Sequence, residues 1–291
     1  MKIIITGSKG FIGANLLAEL KLAGHEVLGI DRSVCDLSNY SELKPIVAQF
    51  APEAVLHLAA FLPVGEEKEP QQYFTNNVNG TLNLLESLKE SKNCKFIYSS
   101  TMNVYGKAQY LPVDEAHPTQ PTNPYGLTKL FGEQLCKYYA DNLNYRVVVL
   151  RYSGVYGPGR DSGAIAYFIA KALAGEPLQI NAADQWDALY VKEIVKANFL
   201  ALQLANSQRF NLFNIGAGEA LSVRTVAEAI IKLADSRSEL KINDSQSSLA
   251  FYYDISRAKE QLGFHPRLLI DCLKEFIAYK REPQKNMGDK S

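Results

Sequence analysis

Short apolar runs alternate with longer segments of helical periodicity through the first half of the chain. The runs have the length of strands and predict strands at residues 2–6, 26–31, 54–60, 95–100 and 146–151. The periodic segments predict helices at residues 11–24, 74–90 and 125–142, and Gly24 suits the position after the end of the first helix. Strands separated by helices of about ten or more residues imply βαβ units and a parallel sheet covered on both faces.

After Arg151 the alternation becomes less regular. Residues 154–163 are rich in glycine and proline and predict a long loop. Further predictions are helices at 165–174, 191–205, 223–234 and 269–280, a short helix after Asp254, and a strand at 210–215. We therefore predict an α/β fold with a doubly wound parallel sheet in a domain over residues 1–152. A smaller, mostly helical lobe over residues 153–281 would be partly interleaved with it, and residues 282–291 would form a frayed tail.

Three evenly spaced glycines follow the first predicted strand, in the stretch GSKGFIG at residues 7–13. Gly7 permits a tight turn, Gly10 lets the backbone approach a pyrophosphate, and Gly13 lets the helix pack close to the strand. The helix that begins here offers unpaired N–H groups and the positive end of its dipole to phosphates. Because a strand precedes these glycines and a helix follows them, they predict a dinucleotide site.

The end of the second predicted strand bears on which dinucleotide binds. Asp31 lies 18 residues after Gly13, and its carboxylate would accept hydrogen bonds from both hydroxyls of the adenosine ribose. A carboxylate would also repel a 2′-phosphate, which favours NAD. Arg32 leaves NADP open, because a guanidinium can hold a 2′-phosphate; otherwise Arg32 is simply a solvated side chain.

Tyr125 and Lys129 stand one helical turn apart at the start of the predicted helix 125–142. By itself, such a pair is usually part of an exposed helix face. The alternative is an acid–base pair in which the ammonium group shifts the phenol toward its ionised form. A free phenol has a pKa of about 10, so work near neutral pH needs about 4 kcal/mol of stabilisation of the phenolate.

Composition and charge argue against several other classes of function. A formal net charge of zero and a pI near 6.9 leave no basic footprint for nucleic acid or an anionic membrane. The four cysteines and four histidines have no metal-ligand spacing, so we predict no metal site. The N-terminus does not read as a signal peptide, and no apolar run approaches the length of a membrane span. We expect a soluble, cytoplasmic protein with reduced cysteines.

Several motifs occur in a telling order along the chain: GSKGFIG, Asp36-Leu37, LHLAA, NNVNGT, YSSTMNVYG, PYGLTK and RYSGVYGPG. The pattern D-x-S-x-A-K-x-x-L-G follows at residues 254–263. In this order the motifs resemble the extended short-chain dehydrogenases/reductases. Within them, the chain is similar to the nucleotide-sugar epimerase/dehydratase group, which includes UDP-glucose 4-epimerases. The resemblance spans nearly the whole chain and implies a Rossmann fold and nicotinamide chemistry.

The resemblance also implies roles for individual residues. Tyr125 would exchange a proton with a sugar hydroxyl or keto oxygen, and Lys129 would stabilise its phenolate and hold the nicotinamide ribose. Thr101 aligns with the catalytic serine of the family, and its hydroxyl can make the same hydrogen bond. Asn77 would contact the cofactor region, or else bridge its helix to a strand. Tyr105 is expected to be a packing or rim residue rather than a second acid. The implied cofactor-binding residues are Gly7, Gly10, Phe11, Ile12, Gly13, Asp31, Arg32, Asp36, Leu37, Leu58, Ala59, Ala60, Asn77, Ser99, Tyr125, Lys129 and Tyr152.

Three positions depart from the phosphate-binding pattern of UDP-sugar epimerases. Gly154 stands in place of an asparagine, Trp186 in place of an arginine, and a second arginine is missing near Asp244. Either Arg160 takes over the diphosphate, or the substrate is not a typical UDP-sugar. The predicted substrate residues are Asn103, Gly154, Arg160 and Trp186.

Two net reactions remain open, both with hydride transfer at a secondary carbon of a sugar or nucleotide-sugar, C4 being favoured. Asp31 and the TMNVYG segment favour a 4-epimerase, which we slightly prefer. The short link from Asp31 to Asp36, together with the Ser153-Gly154 pair, favours an NAD(P)H-dependent 4-keto-sugar reductase. A 4,6-dehydratase is disfavoured because its T-D-E is replaced by T-M-N.

A protein of another class, a cofactor-binding regulator without turnover, is a further alternative. The intact set of Thr101, Tyr125 and Lys129 argues against it. The family often pairs through two helices, which here would be those at residues 74–90 and 125–142. The resemblance therefore also implies a homodimer that acts on a small-molecule substrate.

Overall fold

The computed structural model describes residues 1–62, 69–91, 93–205, 207–243 and 250–282. Its strands are β1 (Lys2–Thr6), β2 (Glu26–Ile30), β3 (Ala54–His57), β4 (Lys95–Thr101), β5 (Arg146–Tyr152), β6 (Gly154–Tyr156), β7 (Leu178–Ile180), β8 (Gln185–Trp186), β9 (Ala188–Tyr190), β10 (Phe210–Ile215), β11 (Leu221–Ser222) and β12 (Leu240–Ile242). Its α-helices are α1 (Phe11–Leu22), α2 (Tyr40–Phe50), α3 (Pro70–Tyr73), α4 (Gly80–Ser87), α5 (Pro124–Leu143), α6 (Ala164–Ala174), α7 (Val191–Gln203), α8 (Val223–Leu233) and α9 (Leu269–Arg281). Two π-helical segments, Phe74–Asn79 and Ala258–Leu262, and a 3₁₀ turn, Met102–Val104, complete the description.

The central element is a six-stranded sheet with the strand order β10-β5-β4-β3-β1-β2. All of its pairs are parallel, so the carboxyl ends of its strands lie along one edge. Thr101 at the end of β4 pairs in register with Tyr152 at the end of β5. This sheet confirms the predicted doubly wound α/β fold. Because β10 lies beyond residue 152 in the chain, the sheet draws on both predicted domains, whose boundary stays a prediction.

Each face of the sheet carries its own apolar layer. Helices α1 and α7 cover one face through residues such as Leu16, Leu20 and Ile194. Helices α2, α4 and α5 cover the other face through residues such as Leu43 and Leu84. The near-continuous apolar runs of the strands therefore follow from burial on both faces. Among the described residues, no helix has the length and apolar character that crossing a membrane would require.

The C-terminal lobe has a third apolar core, formed by α6, α8 and α9. Three two-stranded sheets, β6–β9, β7–β12 and β8–β11, surround these helices, so the lobe contains more strand than predicted. The predicted loop over residues 154–163 is wrong at its start, because residues 154–156 form β6 in parallel with β9. Val155 and Tyr156 can pair there because Gly154 lets the backbone approach that of Asp187, with Gly154 N 3.2 Å from Asp187 O.

Two helical segments differ from the prediction. Helix α2 was not predicted; Pro45 lies inside it, and proline ordinarily interrupts a helix. The helix predicted at residues 74–90 starts at Pro70 instead, a favourable first helical residue, and passes through the π-helical segment before α4 ends at Ser87. The predicted frayed tail lies outside the described residues except for Glu282.

A buried lysine joins the sheet to the end of α7. Lys95, the first residue of β4, is 8% exposed. Its Nζ donates hydrogen bonds to the backbone oxygens of Ala201, Leu202 and Leu204 at 3.3, 2.7 and 2.7 Å. The ammonium group thereby satisfies carbonyls that the helix leaves unpaired, at the end where the helix dipole favours a cation. Burial lowers the pKa of Lys95.

We expect Lys95→Met to lower the free energy of unfolding by about 2 kcal/mol, because buried carbonyls lose a charged donor. Urea denaturation of the two proteins measures the difference. Lys44→Met, which removes an exposed lysine from α2, is the matched control and should change stability by less than about 0.5 kcal/mol. Equal effects of the two substitutions would contradict this role for Lys95.

Candidate active site

The start of α5 places Tyr125 at the carboxyl edge of the sheet. Asn123 caps the helix, its side chain accepting a hydrogen bond from Gly126 N at 2.7 Å, and Pro124 occupies the first turn. A Cβ on Gly126 would lie 2.4 Å from the backbone oxygen of Asn103. Glycine at this position therefore lets α5 begin directly against the turn that follows β4, next to Thr101.

Thr101 and Tyr125 form the first half of the predicted catalytic set. Burial raises the pKa of Tyr125 to about 12, and the hydroxyl of Thr101 has a smaller effect that lowers it. Asn103 supports the pair, since its backbone N and its Nδ2 both donate to Thr101 Oγ1 at 3.3 Å. Thr101 therefore lowers the phenol pKa in part, and stabilisation of the phenolate by Lys129 stays a prediction.

Lys129 lies one turn further along α5 and is 1% exposed. Its ammonium group lies 4.1 Å from the ring centroid of Tyr98, a cation–π contact. Gly132 makes room for this ring, because a Cβ there would lie 1.9 Å from the Tyr98 hydroxyl. Burial lowers the pKa of Lys129 to about 7, against the opposing effects of Cys136 and Glu133. The ammonium group can therefore lose its proton close to neutral pH.

The glycine loop fits the pyrophosphate of a dinucleotide. Gly7 has φ of 70°, and Gly10 N donates to Gly7 O at 3.0 Å, which closes the turn between β1 and α1. A Cβ on Gly13 would lie 2.1 Å from Gly7 O, so only glycine permits this packing. Helix α1 has no side-chain cap and no acidic residue in its first turn, which starts at Phe11 and Ile12. Its first N–H groups are thus free to bind an anion.

The adenosine side of this site is organised around Asp31. Its Oδ1 accepts hydrogen bonds from Ser33 N at 2.8 Å, Ser33 Oγ at 2.6 Å and Lys9 Nζ at 3.2 Å. These bonds lower the pKa of Asp31, the Ser33 side chain having the largest effect. The bonds all converge on Oδ1, which leaves Oδ2 as an acceptor for a ribose hydroxyl.

Arg32 reaches away from Asp31. Its guanidinium donates to Asn76 Oδ1 at 3.1 Å and lies 5.9 Å from the ring centroid of Phe61. This arrangement favours NAD over a cofactor with a 2′-phosphate. Asp36 accepts from Ser38 N at 2.8 Å.

Asn77, which is 2% exposed, connects segments that adjoin the predicted cofactor site. Its Oδ1 accepts from Phe61 N at 2.6 Å, and its Nδ2 donates to Thr128 Oγ1 at 2.9 Å. Asn77 therefore bridges the chain after β3 to α5. Contact of Asn77 with a cofactor stays a prediction, as it does for Leu37, Leu58, Ala59, Ala60 and Ser99. Residues 58–60 directly follow β3, and Ser99 lies in β4 two residues before its end.

Sequence reasoning missed a buried histidine that is linked to Asn77 through Thr81. His57 bonds to Thr6 Oγ1 through Nδ1 at 2.7 Å and to Thr81 Oγ1 through Nε2 at 2.9 Å. Thr81 donates to Asn77 O at 2.6 Å, so the neutral tautomer protonated on Nε2 satisfies the chain of bonds. Burial lowers the pKa of His57 well below its usual value. His57 thereby joins the ends of β1 and β3 to the helix that carries Asn77.

Tyr152, predicted to contact the cofactor, is buried at the end of β5. Asn198 Nδ2 of α7 donates to its hydroxyl at 2.8 Å. Tyr105 is fully buried, as its predicted packing role requires, and its hydroxyl donates to Asn214 Oδ1 at 2.7 Å.

A cavity of about 640 Å³ extends from Met102, next to Thr101, into the C-terminal lobe. Three of the four predicted substrate residues line it, namely Gly154, Arg160 and Trp186, and the fourth, Asn103, adjoins Met102. Trp186 stacks on Phe168 at 6.1 Å between ring centroids. Sequence reasoning missed other lining residues, among them Lys107, Leu111, Ile165 and Phe251. They are distant from each other in the chain, and no local motif marks them.

The loop formed by residues 157–160, the GPGR loop, connects this cavity to the glycine loop. Asn15 Nδ2 of α1 donates to Pro158 O at 3.2 Å and to Phe11 O at 2.9 Å. Arg160 donates from NH1 to Val155 O at 3.1 Å, and its guanidinium lies 6.0 Å from the ring centroid of Phe11. Arg160 thus lies between the predicted pyrophosphate site and the cavity.

Comparison with known proteins identifies the family. The model of the NAD dependent epimerase/dehydratase family matches residues 3–216. The chain belongs to this family. The family consists of NAD-dependent enzymes of the extended short-chain dehydrogenase/reductase type, as the order of motifs predicted.

Relatives of this epimerase/dehydratase chain align over nearly their full lengths. An uncharacterized UDP-glucose epimerase of Bacillus subtilis is 32% identical, over 96% of this chain and 98% of the relative. The crystal structure of UDP-N-acetylglucosamine 4-epimerase from Bacillus cereus has a TM-score of 0.84 at 26% identity and covers 100% of this chain and 99% of its own. UDP-glucuronic acid 4-epimerase from Bacillus cereus, in complex with UDP-glucuronic acid and NAD, has a TM-score of 0.79 at 30% identity, covering 96% and 98%.

The pKa of Lys129 predicts a pH dependence of stability. Its pKa falls from the usual 10.5 to about 7 on folding. Between these values the unfolded chain binds a proton that the folded protein has lost, so this lysine makes the free energy of unfolding rise with pH. We expect Lys129→Met to remove that rise. Urea denaturation of both proteins, without added nucleotide, from about pH 6 to pH 10 measures the free energy of unfolding at each pH. If the two proteins gave parallel curves of this free energy against pH, the lowered pKa of Lys129 would be contradicted.

Proposed function

We propose that this protein is an NAD-dependent 4-epimerase of a nucleotide sugar. The observation that carries the proposal is the placement of Thr101, Tyr125 and Lys129 at the carboxyl edge of the sheet, where the cavity begins at Met102. The glycine loop lies at the same edge, after β1. The relatives described above, whose names are those of UDP-sugar epimerases, support the same reaction.

Each member of the catalytic set has a chemical task in this proposal. Tyr125 accepts the proton of the sugar 4-hydroxyl as that carbon is oxidised, and returns it to the keto oxygen as the carbon is reduced from the other face. Thr101 donates a hydrogen bond to the same oxygen and so orients it. When bound, NAD would supply the hydride acceptor and a positively charged ring. The ammonium group of Lys129 stabilises the phenolate that must be present before Tyr125 can accept this proton.

The pKa of Tyr125 shows how much stabilisation the site must supply. A phenol with a pKa of about 12 needs about 7 kcal/mol of stabilisation to ionise near neutral pH. This exceeds the value for a free phenol, because burial adds to it. The ammonium group of Lys129 and the positively charged nicotinamide ring are the sources that we propose for this stabilisation.

We propose Arg160 as the residue that binds the diphosphate of the substrate. It lies between the glycine loop and the cavity, near the positive end of α1. Of the cavity-lining residues, Arg160 and Lys107 are cationic. The position of Asp244, where the family has an arginine, lies outside the described residues. Gly154 and Trp186 would then shape the sugar end of the cavity without binding phosphate.

The decisive experiment uses purified protein and a panel of UDP-, GDP-, CDP- and dTDP-sugars. We expect NAD to copurify, a nucleotide sugar to be converted to its 4-epimer, and no added NADH or NADPH to be consumed. Tyr125→Phe should retain NAD and lose turnover by about a hundredfold or more. Arg160→Ala should raise the KM for the nucleotide sugar, with turnover at saturation largely kept.

Stoichiometric consumption of NADH or NADPH with a 4-keto-sugar would instead identify a reductase. Failure to bind either cofactor would leave the non-catalytic regulator as the better description. Unchanged activity of Tyr125→Phe would remove the acid–base role of this phenol.

We further propose that the protein forms a homodimer through α4 and α5. Phe131 and Tyr138, seven residues apart on α5, are 43% and 57% exposed, and Leu82 of α4 is 36% exposed. The Phe131 ring lies 5.7 Å from that of Phe74, so apolar surface continues from α5 to the π-helical segment that precedes α4. Exposed aromatic rings on adjacent helices are typical of protein interfaces.

We expect Phe131→Glu to convert the dimer to a monomer in size-exclusion chromatography with light scattering. Leu22→Glu, which changes an 81% exposed leucine on the opposite layer of the sheet, is the matched control. The control should remain dimeric. A monomeric wild-type protein would disprove the dimer.

We also propose that the protein works in a reducing compartment such as the cytoplasm. Cys35, Cys94, Cys136 and Cys272 are free and buried. Four unpaired thiols are typical of proteins kept in reducing surroundings.

A further inference from the structure

Glu133 extends the catalytic face of α5 by one turn. Tyr125, Lys129 and Glu133 recur at intervals of four residues, which places them on successive turns of one side of the helix. Glu133 is 3% exposed. Its carboxylate accepts from Arg151 Nε at 2.9 Å and from Arg151 NH2 at 2.6 Å, a bidentate ion pair. The hydroxyl of Ser100 donates to the same carboxylate.

We propose that Glu133 is a positioning residue for the reaction, which keeps Lys129 cationic and holds α5 in register with the ends of β4 and β5. The inference rests on the roles proposed above for Tyr125 and Lys129, and it assigns Glu133 no contact with substrate or cofactor.

The groups around Lys129 show why Glu133 is the counter-charge. From the sheet, Tyr98 of β4 lies against the ammonium group, and His57 of β3 interacts with it. Burial holds the pKa of Tyr98 high and that of His57 low, so both are neutral near pH 7. On α5, burial likewise keeps the Cys136 thiol protonated. Cys136 and Glu133 both act to raise the pKa of Lys129. Because the thiol keeps its proton, Glu133 is the anion among these neighbours.

The hydrogen-bond partners of Glu133 lie in two strands, next to residues of the candidate site. Ser100 directly precedes Thr101 in β4, and Arg151 directly precedes Tyr152 in β5. Arg151 also donates from NH1 to the Tyr105 hydroxyl at 2.7 Å. The carboxylate therefore fixes the helix that carries Tyr125 and Lys129 relative to the strand that carries Thr101.

The charge of this cluster can be changed in both directions. Lys129, Glu133 and Arg151 together carry one positive charge. Glu133→Gln leaves two, Arg151→Met leaves none, and the double variant restores one. Added positive charge favours loss of a proton from both Lys129 and Tyr125, and added negative charge opposes it.

We expect the pH profile of kcat to move to lower pH in Glu133→Gln and to higher pH in Arg151→Met. The double variant should return to the wild-type position. The maximum kcat of Glu133→Gln should fall by about tenfold or more, because Lys129 is then less often charged and less well placed. Asp141→Asn, which neutralises an exposed carboxylate on the same helix, is the control and should leave the profile unchanged.

A second measurement needs no substrate. The phenolate absorbance of the NAD-loaded protein, with that of the corresponding Tyr125→Phe protein subtracted, gives the titration of Tyr125 in each variant. Opposite shifts in the two single variants support the proposal. Profiles that stay in place, or that shift in the same direction, overturn it.

The two measurements separate this inference from the proposed function. If no nucleotide sugar turns over, the absorbance titration still decides the role of Glu133. If Glu133→Gln does not fold, Arg151→Met and the double variant carry the test, since a variant lacking Arg151 must titrate at higher pH than one lacking both charges.

Discussion

The active-site edge depends on the bidentate ion pair between Glu133 and Arg151. Both side chains are about 4–5% exposed, so neither is solvated by bulk water. Burying two charges costs several kcal/mol, which a well-formed pair roughly offsets, so such a pair adds little net stability. The contribution of the pair here is to hold α5 in a defined position across β4 and β5. An apolar pair of similar volume lacks this directional geometry and would permit shifts of the helix.

Two glycines of α5 help to fix the position of this helix by allowing close contacts. Gly126 lets α5 begin against Asn103, and Gly132 lets the Tyr98 ring pass beneath Lys129. A methyl group at either position would displace the helix by more than the tolerance of a catalytic hydrogen bond. Gly126 and Gly132 lie three residues before and three residues after Lys129 along the helix. The close contacts that the two glycines permit and the Glu133–Arg151 ion pair therefore act together to place the phenol beside Thr101.

Local patterns in the sequence predicted the main sheet, because strands buried on both faces are continuous apolar runs and turns between them carry glycine. The same local reasoning found Tyr125, Lys129 and the glycine loop. It did not find α2, where Pro45 conceals the helical periodicity, or β6, whose partner β9 lies more than thirty residues away. Phe251 and Lys107 of the cavity were missed because only tertiary folding brings them near Trp186. Glu133 was visible as a third residue at the four-residue interval, but its buried partner Arg151 was not.

The departures from the family pattern follow from how the cavity is built. Gly154 lies in β6, where its backbone pairs beside Asp187, and a larger side chain would crowd the Asp187 carbonyl at 3.3 Å. Asp187 itself is buried and accepts hydrogen bonds from Ala217 N at 2.7 Å and Tyr253 N at 3.1 Å, so it holds the lobe together. Trp186, stacked on Phe168, gives this wall of the cavity an aromatic face. A nucleotide sugar bound as we propose would place its diphosphate beside Arg160 and the start of α1, with its sugar toward Met102 and the catalytic residues.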